Sequence, residues 1–189
     1  MGIIPLRGGV RVTSQVWWYV ARSSGIVSWA TLCLSVVWGL MLSTRTMKQT
    51  ISRPWLLGVH RAFSGFSVIF MIVHVTALIF DSYTHFDIID ALVPFASTWH
   101  PLAVAWGVVS LWIMIAVELT SLTRKFIPNE WWKRVHFASF ALFVLATIHG
   151  LTSGTDTGTM LGVLIVVCVA VPVALLSMFR IYKWVNAVS

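Results

Sequence analysis

Residues 60–74 read His-Arg-Ala-Phe-Ser-Gly-Phe-Ser-Val-Ile-Phe-Met-Ile-Val-His. Between the two histidines every residue except Arg61 is apolar or small, and the stretch lies inside a longer run, Trp55–Phe80. That run exceeds the roughly 20 apolar residues a helix needs to cross a bilayer. An ionisable side chain in such a place is expensive and points to function. On a helix rising about 1.5 Å per residue, His60 and His74 stand about 21 Å apart and within about 40° of one face.

A second pair lies further along. His136 and His149 fall within Trp131–Leu151, another run of spanning length, and are separated by about 19.5 Å of helix rise. The two ladders nearly match. The chain around them is equally apolar: of 189 residues, 58% are hydrophobic and 10% charged, with a mean hydropathy of +0.88. A soluble domain of this size has too little interior for so much apolar surface, so lipid is the expected solvent.

Five stretches have spanning length: Ser24–Ser43, Trp55–Phe80, Leu102–Leu122, Trp131–Leu151 and Gly158–Met178. The expectation is an all-α integral membrane bundle of about five helices. Residues 1–23 read as an N-terminal interfacial segment carrying Trp17, Trp18 and Tyr19, residues 24–179 as the membrane domain, and 180–189 as a short cytoplasmic tail. Met1–Val20 is interrupted by Pro5, Arg7, Gly8, Gly9 and Arg11, which argues against a secretory signal. Pro54 and Pro101 sit where helices start, Pro128-Asn129-Glu130 reads as a turn, and Pro172 should kink the fifth helix.

The net charge of +7 and pI near 10.1 are explained by the positive-inside rule, with no need for nucleic acid. Arg45, Lys48 and Arg53, then Arg124, Lys125, Lys133 and Arg134, then Arg180 and Lys183 form three basic groups expected on the cytoplasmic side of the plasma (inner) membrane. The connections Asp81–Pro101 and Gly150–Thr157 carry no Lys or Arg and belong outside. An odd number of spans then puts the N-terminus outside and the C-terminus inside, against the sign of Arg7 and Arg11. Cys33 and Cys168 both lie in apolar runs and offer no disulfide framework.

In this topology the second and fourth spans run the same way. His60 is level with His136 near the inner face, and His74 with His149 near the outer one. Facing neutral imidazoles suit the two axial positions of haem iron, and two pairs imply two stacked b-type haems between the second and fourth helices. Thirteen positions fall about 140° short of four full turns, so the fourth helix must be distorted or its histidines must approach from different azimuths. Two other accounts stay open: packing or proton-relay histidines, as in a transporter or an assembly subunit, and a bare metal site, for which each level offers two histidines but no Cys or acid.

Smaller features fit around this. Gly65 admits either a macrocycle or a packed neighbour. Arg61, Arg134 and Arg53 ring the inner pair and suit haem propionates, though anchoring explains Arg53 equally well. Arg22 lies at the outer margin of the first span, where the positive-inside rule gives it no role, and suits an outer propionate or an anionic substrate. Phe86–Thr98 has the pattern of a short amphipathic helix on the outer surface. Beside it, His85 and His100 with Asp81, Asp87 and Asp90 have a composition that attracts metal ions such as ferric iron, although exposed loop residues are usually only solvated.

The pattern His60-x13-His74 and His136-x12-His149 on alternate helices resembles the ferric reductase-like transmembrane domain superfamily, which includes NADPH oxidases, ferric reductases and the bacterial MsrQ/YedZ haem subunits. The similarity covers about Tyr19 to Gly150 and takes in Tyr19-Val20-Ala21-Arg22, His60-Arg61 and Trp132-Lys133-Arg134-Val135-His136. It implies His60 and His136 as ligands of an inner haem and His74 and His149 as ligands of an outer one. Arg22 would stand near the outer haem, and electrons would move from inner to outer. With both axial positions filled, an acceptor is reduced at the haem edge.

The chain contains no G-x-G-x-x-G motif and no room for a Rossmann unit. The resemblance is thus to a short bacterial form, whose electron donor is a separate flavoprotein reductase or a quinol. Its acceptor would be a ferric chelate, oxygen or an extracytoplasmic redox partner.

Overall fold

In the computed structural model, the residues described are 8–44, 52–81 and 86–154, with 167, 171, 173–175, 177–179 and 182. All secondary structure among them is helical. The order is α1 (Gly8–Thr44), α2 (Arg53–Phe80), α3 (Ile88–Leu92), α4 (Pro101–Leu122), a 3-10 turn at Arg124–Phe126, α5 (Asn129–Phe137) and α6 (Ser139–Ser153). Four stretches are long and apolar enough to cross a membrane: Gln15–Ser43, Arg53–Phe80, Pro101–Leu122 and Asn129–Ser153. The fifth expected span, Gly158–Met178, lies mostly outside the described residues. So do Arg45, Lys48, His85, Arg180 and Lys183.

The first span is longer than the hydropathy pattern implies. Ser23 and Ser24 look like a boundary in sequence, but their hydroxyls donate to the Tyr19 and Val20 carbonyls one turn back, so the polar pair is satisfied within the helix. The helix therefore continues through the aromatic stretch, and Trp17 stacks on Phe80 at the end of α2, with ring centroids 5.3 Å apart.

The start of α2 has Pro54 in its first turn, as does that of α4 with Pro101, positions whose missing N–H costs nothing. α3 is fixed by a capping box: Asp87 Oδ1 accepts from the Ile89 and Asp90 amides, and Asp90 Oδ2 accepts from the Asp87 amide. The short helix then packs Ala91 and the preceding Phe86 against Val104 and Val108 of α4. The Trp112 indole donates to the Leu92 carbonyl at 2.9 Å.

Two antiparallel hairpins result, α1 with α2 and α4 with α5–α6, joined where α1 meets α6. Small residues let the first hairpin close tightly. Ser28 Oγ donates to the Ser67 carbonyl at 2.9 Å, and Ser67 Oγ donates back to Ser28 at 3.0 Å. Trp29 Nε1 reaches Thr147 Oγ1 at 2.9 Å and ties the hairpins together. The core between them contains Leu32, Cys33, Val36, Met114, Leu142 and Phe143, and Val173 packs into it. Large apolar side chains such as Ile69, Ile72 and Leu119 stay more than half exposed, as lipid-facing positions would.

Candidate functional site

The fourth span is not one helix. Between α5 and α6 the chain tightens at Ala138, whose amide bonds the Val135 carbonyl in an i→i−3 turn. Such a turn advances the azimuth by about 20° per tightened residue. The distortion expected from the 13-residue spacing is thus found at Ala138, between His136 and His149, where it makes up part of the shortfall; the rest is met by the two rings approaching their partners from different azimuths.

The four histidines meet as two pairs. The His60 and His136 ring centroids are 6.0 Å apart, with planes at 75°. Those of His74 and His149 are 6.3 Å apart, at 76°. Since His60 and His74 lie on α2 while His136 and His149 lie on α5 and α6, these helices run parallel and carry one pair at each level.

Three of the four rings are held from behind by a carbonyl. His60 Nδ1 donates to the Ser35 carbonyl at 2.9 Å, His74 Nδ1 to Ala21 at 2.6 Å, and His149 Nδ1 to Ala103 at 2.8 Å. A carbonyl oxygen can only accept, so Nδ1 carries the proton and Nε2 keeps a free lone pair. His136 differs: its Nδ1 has the Ser121 hydroxyl at 3.5 Å, while its ring stacks on Trp132 at 4.8 Å. The guanidinium of Arg124 covers the same indole, 4.1 Å from the ring centre.

Three glycines make these contacts possible. A Cβ on Gly107 would lie 2.7 Å from His149 Cε1, one on Gly25 2.9 Å from His74 Nδ1, and one on Gly39 3.3 Å from His60 Cε1. In each case the glycine stands four residues after the accepting carbonyl, so its bare Cα leaves the gap that the ring enters. By contrast, among the described residues a Cβ on Gly65 would meet nothing within 4 Å.

The His60–His136 pair opens on a cavity of about 670 Å³, within the roughly 300–1,000 Å³ of small-molecule and cofactor sites. Its wall includes Glu118, Glu130, Lys133 and Arg134. Arg134 is otherwise exposed, its guanidinium 5.4 Å from the Trp131 ring centre. Arg61, next to His60, is exposed and is not part of that wall. Arg22 directly follows Ala21, the acceptor of His74, and its guanidinium lies 4.8 Å over the Trp18 ring.

The carboxylates between α2 and α4 do not gather around His100. Asp87 and Asp90 are committed to the capping box of α3, Asp81 is buried at the end of α2, and His100 is the exposed residue before α4. Among the described residues no three His, Cys, Asp or Glu side chains converge as a bare metal site would require.

The residue pattern missed Glu118, an acid inside a span, which the rule used for the histidines would have flagged. It also missed Gly25 and Gly39, although they repeat the spacing of His60 and His74.

The fit to haem can be tested on this geometry. An imidazole bonded through Nε2 at about 2 Å sets its ring centre roughly 3 Å from the metal, so two opposed ligands have centres roughly 6 Å apart. Both pairs meet that separation. The outward Nδ1–H bonds are the partners that orient a metal-ligating histidine. The residues present fit a bis-histidine haem at each level.

Residues 16–156 match the model of one protein family, DUF8596, described as a domain of unknown function. The match covers most of the chain, which therefore belongs to that family. No curated protein and no solved structure matches it.

Proposed function

We propose that this member of the DUF8596 family carries electrons across a membrane through two b-type haems, one held by His60 and His136 and the other by His74 and His149. The observation that carries the reading is the repetition at both levels of two facing imidazoles about 6 Å apart between ring centres, with Nδ1 bonded away from the gap in three of the four. The sequence resemblance to the ferric reductase-like superfamily, carried largely by the same four histidines, agrees with it. Bound there, haem supplies reversible one-electron chemistry.

The chain's own residues set the position and the surroundings. The Ser35, Ala21 and Ala103 carbonyls fix three tautomers and keep Nε2 available. Gly25, Gly39 and Gly107 let the rings lie against α1 and α4. Arg134 and Lys133 on the cavity wall offer charge to a propionate or to an acidic donor protein. Arg22 stands one residue from the carbonyl that holds His74, where an outer propionate or an anionic substrate would meet it. Arg61 is left to interfacial anchoring.

In this reading the basic loops face the cytoplasm of the inner membrane and receive electrons from a flavoprotein or a quinol. The outer level passes them to a ferric chelate, oxygen or a partner redox protein.

The test is a dithionite-reduced minus oxidised visible spectrum of the purified protein, with haem extracted and counted per chain. Two b-type haems are expected. A folded preparation, made with haem in good supply and containing none, would overturn the reading in favour of a transporter or assembly subunit. His74→Ala is expected to remove about one haem and to leave the other reducible, since a lost axial ligand unanchors only its own iron.

A further inference from the structure

Three of the four histidines share one device: a carbonyl at position i accepts from Nδ1, and a glycine at i+4 makes room. The pairs are Ala21 with Gly25, Ser35 with Gly39, and Ala103 with Gly107. At the fourth histidine the corresponding pair is Val117 and Ser121. Here the side chain of Ser121 stands where the other three sites have a bare glycine, so the gap a ring would enter is filled; its hydroxyl donates to the Val117 carbonyl at 2.7 Å, which the Thr120 hydroxyl also reaches at 3.1 Å. His136 is left with the Ser121 oxygen at 3.5 Å, the longest Nδ1 contact of the four.

The two levels therefore differ. The outer pair has two carbonyl acceptors, at 2.6 and 2.8 Å, and the inner pair has one, at 2.9 Å. A strong acceptor on Nδ1–H makes an imidazole more basic and favours the oxidised metal, while a weak one favours the reduced metal.

Resting on the haem reading above, we infer that Ser121 is a positioning residue that sets the inner site apart from the outer one. By filling the gap beside the Val117 carbonyl it keeps the His136 ring off that acceptor and raises the inner reduction potential above what a fourth carbonyl would give. The inner level then accepts an electron from a milder donor than it otherwise would.

The experiment is a spectroelectrochemical titration of the full chain in the His74→Ala background, where only the inner pair is intact. Ser121→Gly opens the gap beside the Val117 carbonyl and should lower the midpoint of the remaining haem. Ser121→Thr keeps the gap filled and should leave it in place. Gly39→Ser is the converse exchange: a Cβ there would lie 3.3 Å from His60 Cε1, so the side chain crowds the ring off the Ser35 carbonyl and the midpoint should rise.

A haem-bearing protein whose midpoint ignores Ser121→Gly, or moves upward, overturns this inference while the haem reading stands. Should Ser121→Gly fail to fold, an unmoved midpoint in Gly39→Ser overturns it equally. A wild-type chain without haem overturns both.

Discussion

Gly107 makes the closest of the three glycine contacts, and its consequence is testable one atom at a time. A methyl there would sit 2.7 Å from His149 Cε1 and 2.8 Å from Nδ1, and the helix backbone that carries it cannot retreat. The ring must leave the Ala103 carbonyl instead. On the proposed haem reading, Gly107→Ala is therefore expected to hold about one haem per chain by extraction, having lost the His74–His149 site. Gly65→Ala meets nothing within 4 Å among the described residues. It should keep both haems and gain about 0.5–1 kcal/mol of helix stability, read as a raised melting temperature in detergent. The contrast shows what a sequence discloses at this scale. An imidazole in an apolar run is conspicuous, but glycine is ordinary in membrane helices. Gly65 attracted notice because it lies on the same helix as His60, whereas the room a ring needs is on the helix opposite. That register becomes visible only when the two helices are packed.

The Ala138 turn lies between His136 and His149, so the register of the His74–His149 pair passes through it. Hydropathy made the fourth span legible as a whole, and helix arithmetic showed that 13 positions could not serve two aligned rings. The site of the distortion was hidden, because no proline or glycine marks it: the i→i−3 bond is at an alanine followed by Ser139. One alanine inserted between Ala138 and Ser139 would rotate all of α6 by about 100° and advance it about 1.5 Å. His149 would then leave His74 while His136 kept its place. One haem per chain is expected; two would show that the turn does not set the register. The hairpin of α1 and α2 depends on a different element-scale feature, the reciprocal Ser28–Ser67 contact. Ser67 is 1% exposed, so Ser67→Leu overpacks it and should cost about 1–3 kcal/mol in a detergent unfolding titration. The same chemistry misled the sequence reading of α1: Ser23 and Ser24 count against a span in hydropathy, yet they bond their own helix and let it continue.

Across the whole molecule, the two pairs stand at opposite ends of α2, about 21 Å apart along its axis, in a chain with four helices apolar enough to span. The run of apolar stretches made the spans legible, and the histidine positions made the two levels so. The levels could be paired because α2 and α5–α6 run parallel, a consequence of alternating spans. What sequence left open was whether the four rings converge or merely share depth, and that depended on the Ala138 turn and on the glycines of α1 and α4. The basic residues Arg124, Lys125, Lys133 and Arg134 all fall between α4 and the middle of α5, at the His136 end of the bundle. If that end is cytoplasmic, transport of electrons has a direction that vesicles can read. In inside-out vesicles the basic end faces the medium, so an impermeant reductant added there should reduce an impermeant ferric chelate trapped within. His74→Ala should slow that reduction by at least about tenfold, while the visible spectrum still shows reduction of the remaining haem. Equal rates in the wild type and the variant would mean that electrons reach the chelate without the outer pair. The chain would then be a haem protein with a single working level, and its second pair would serve only to brace α2 against α6.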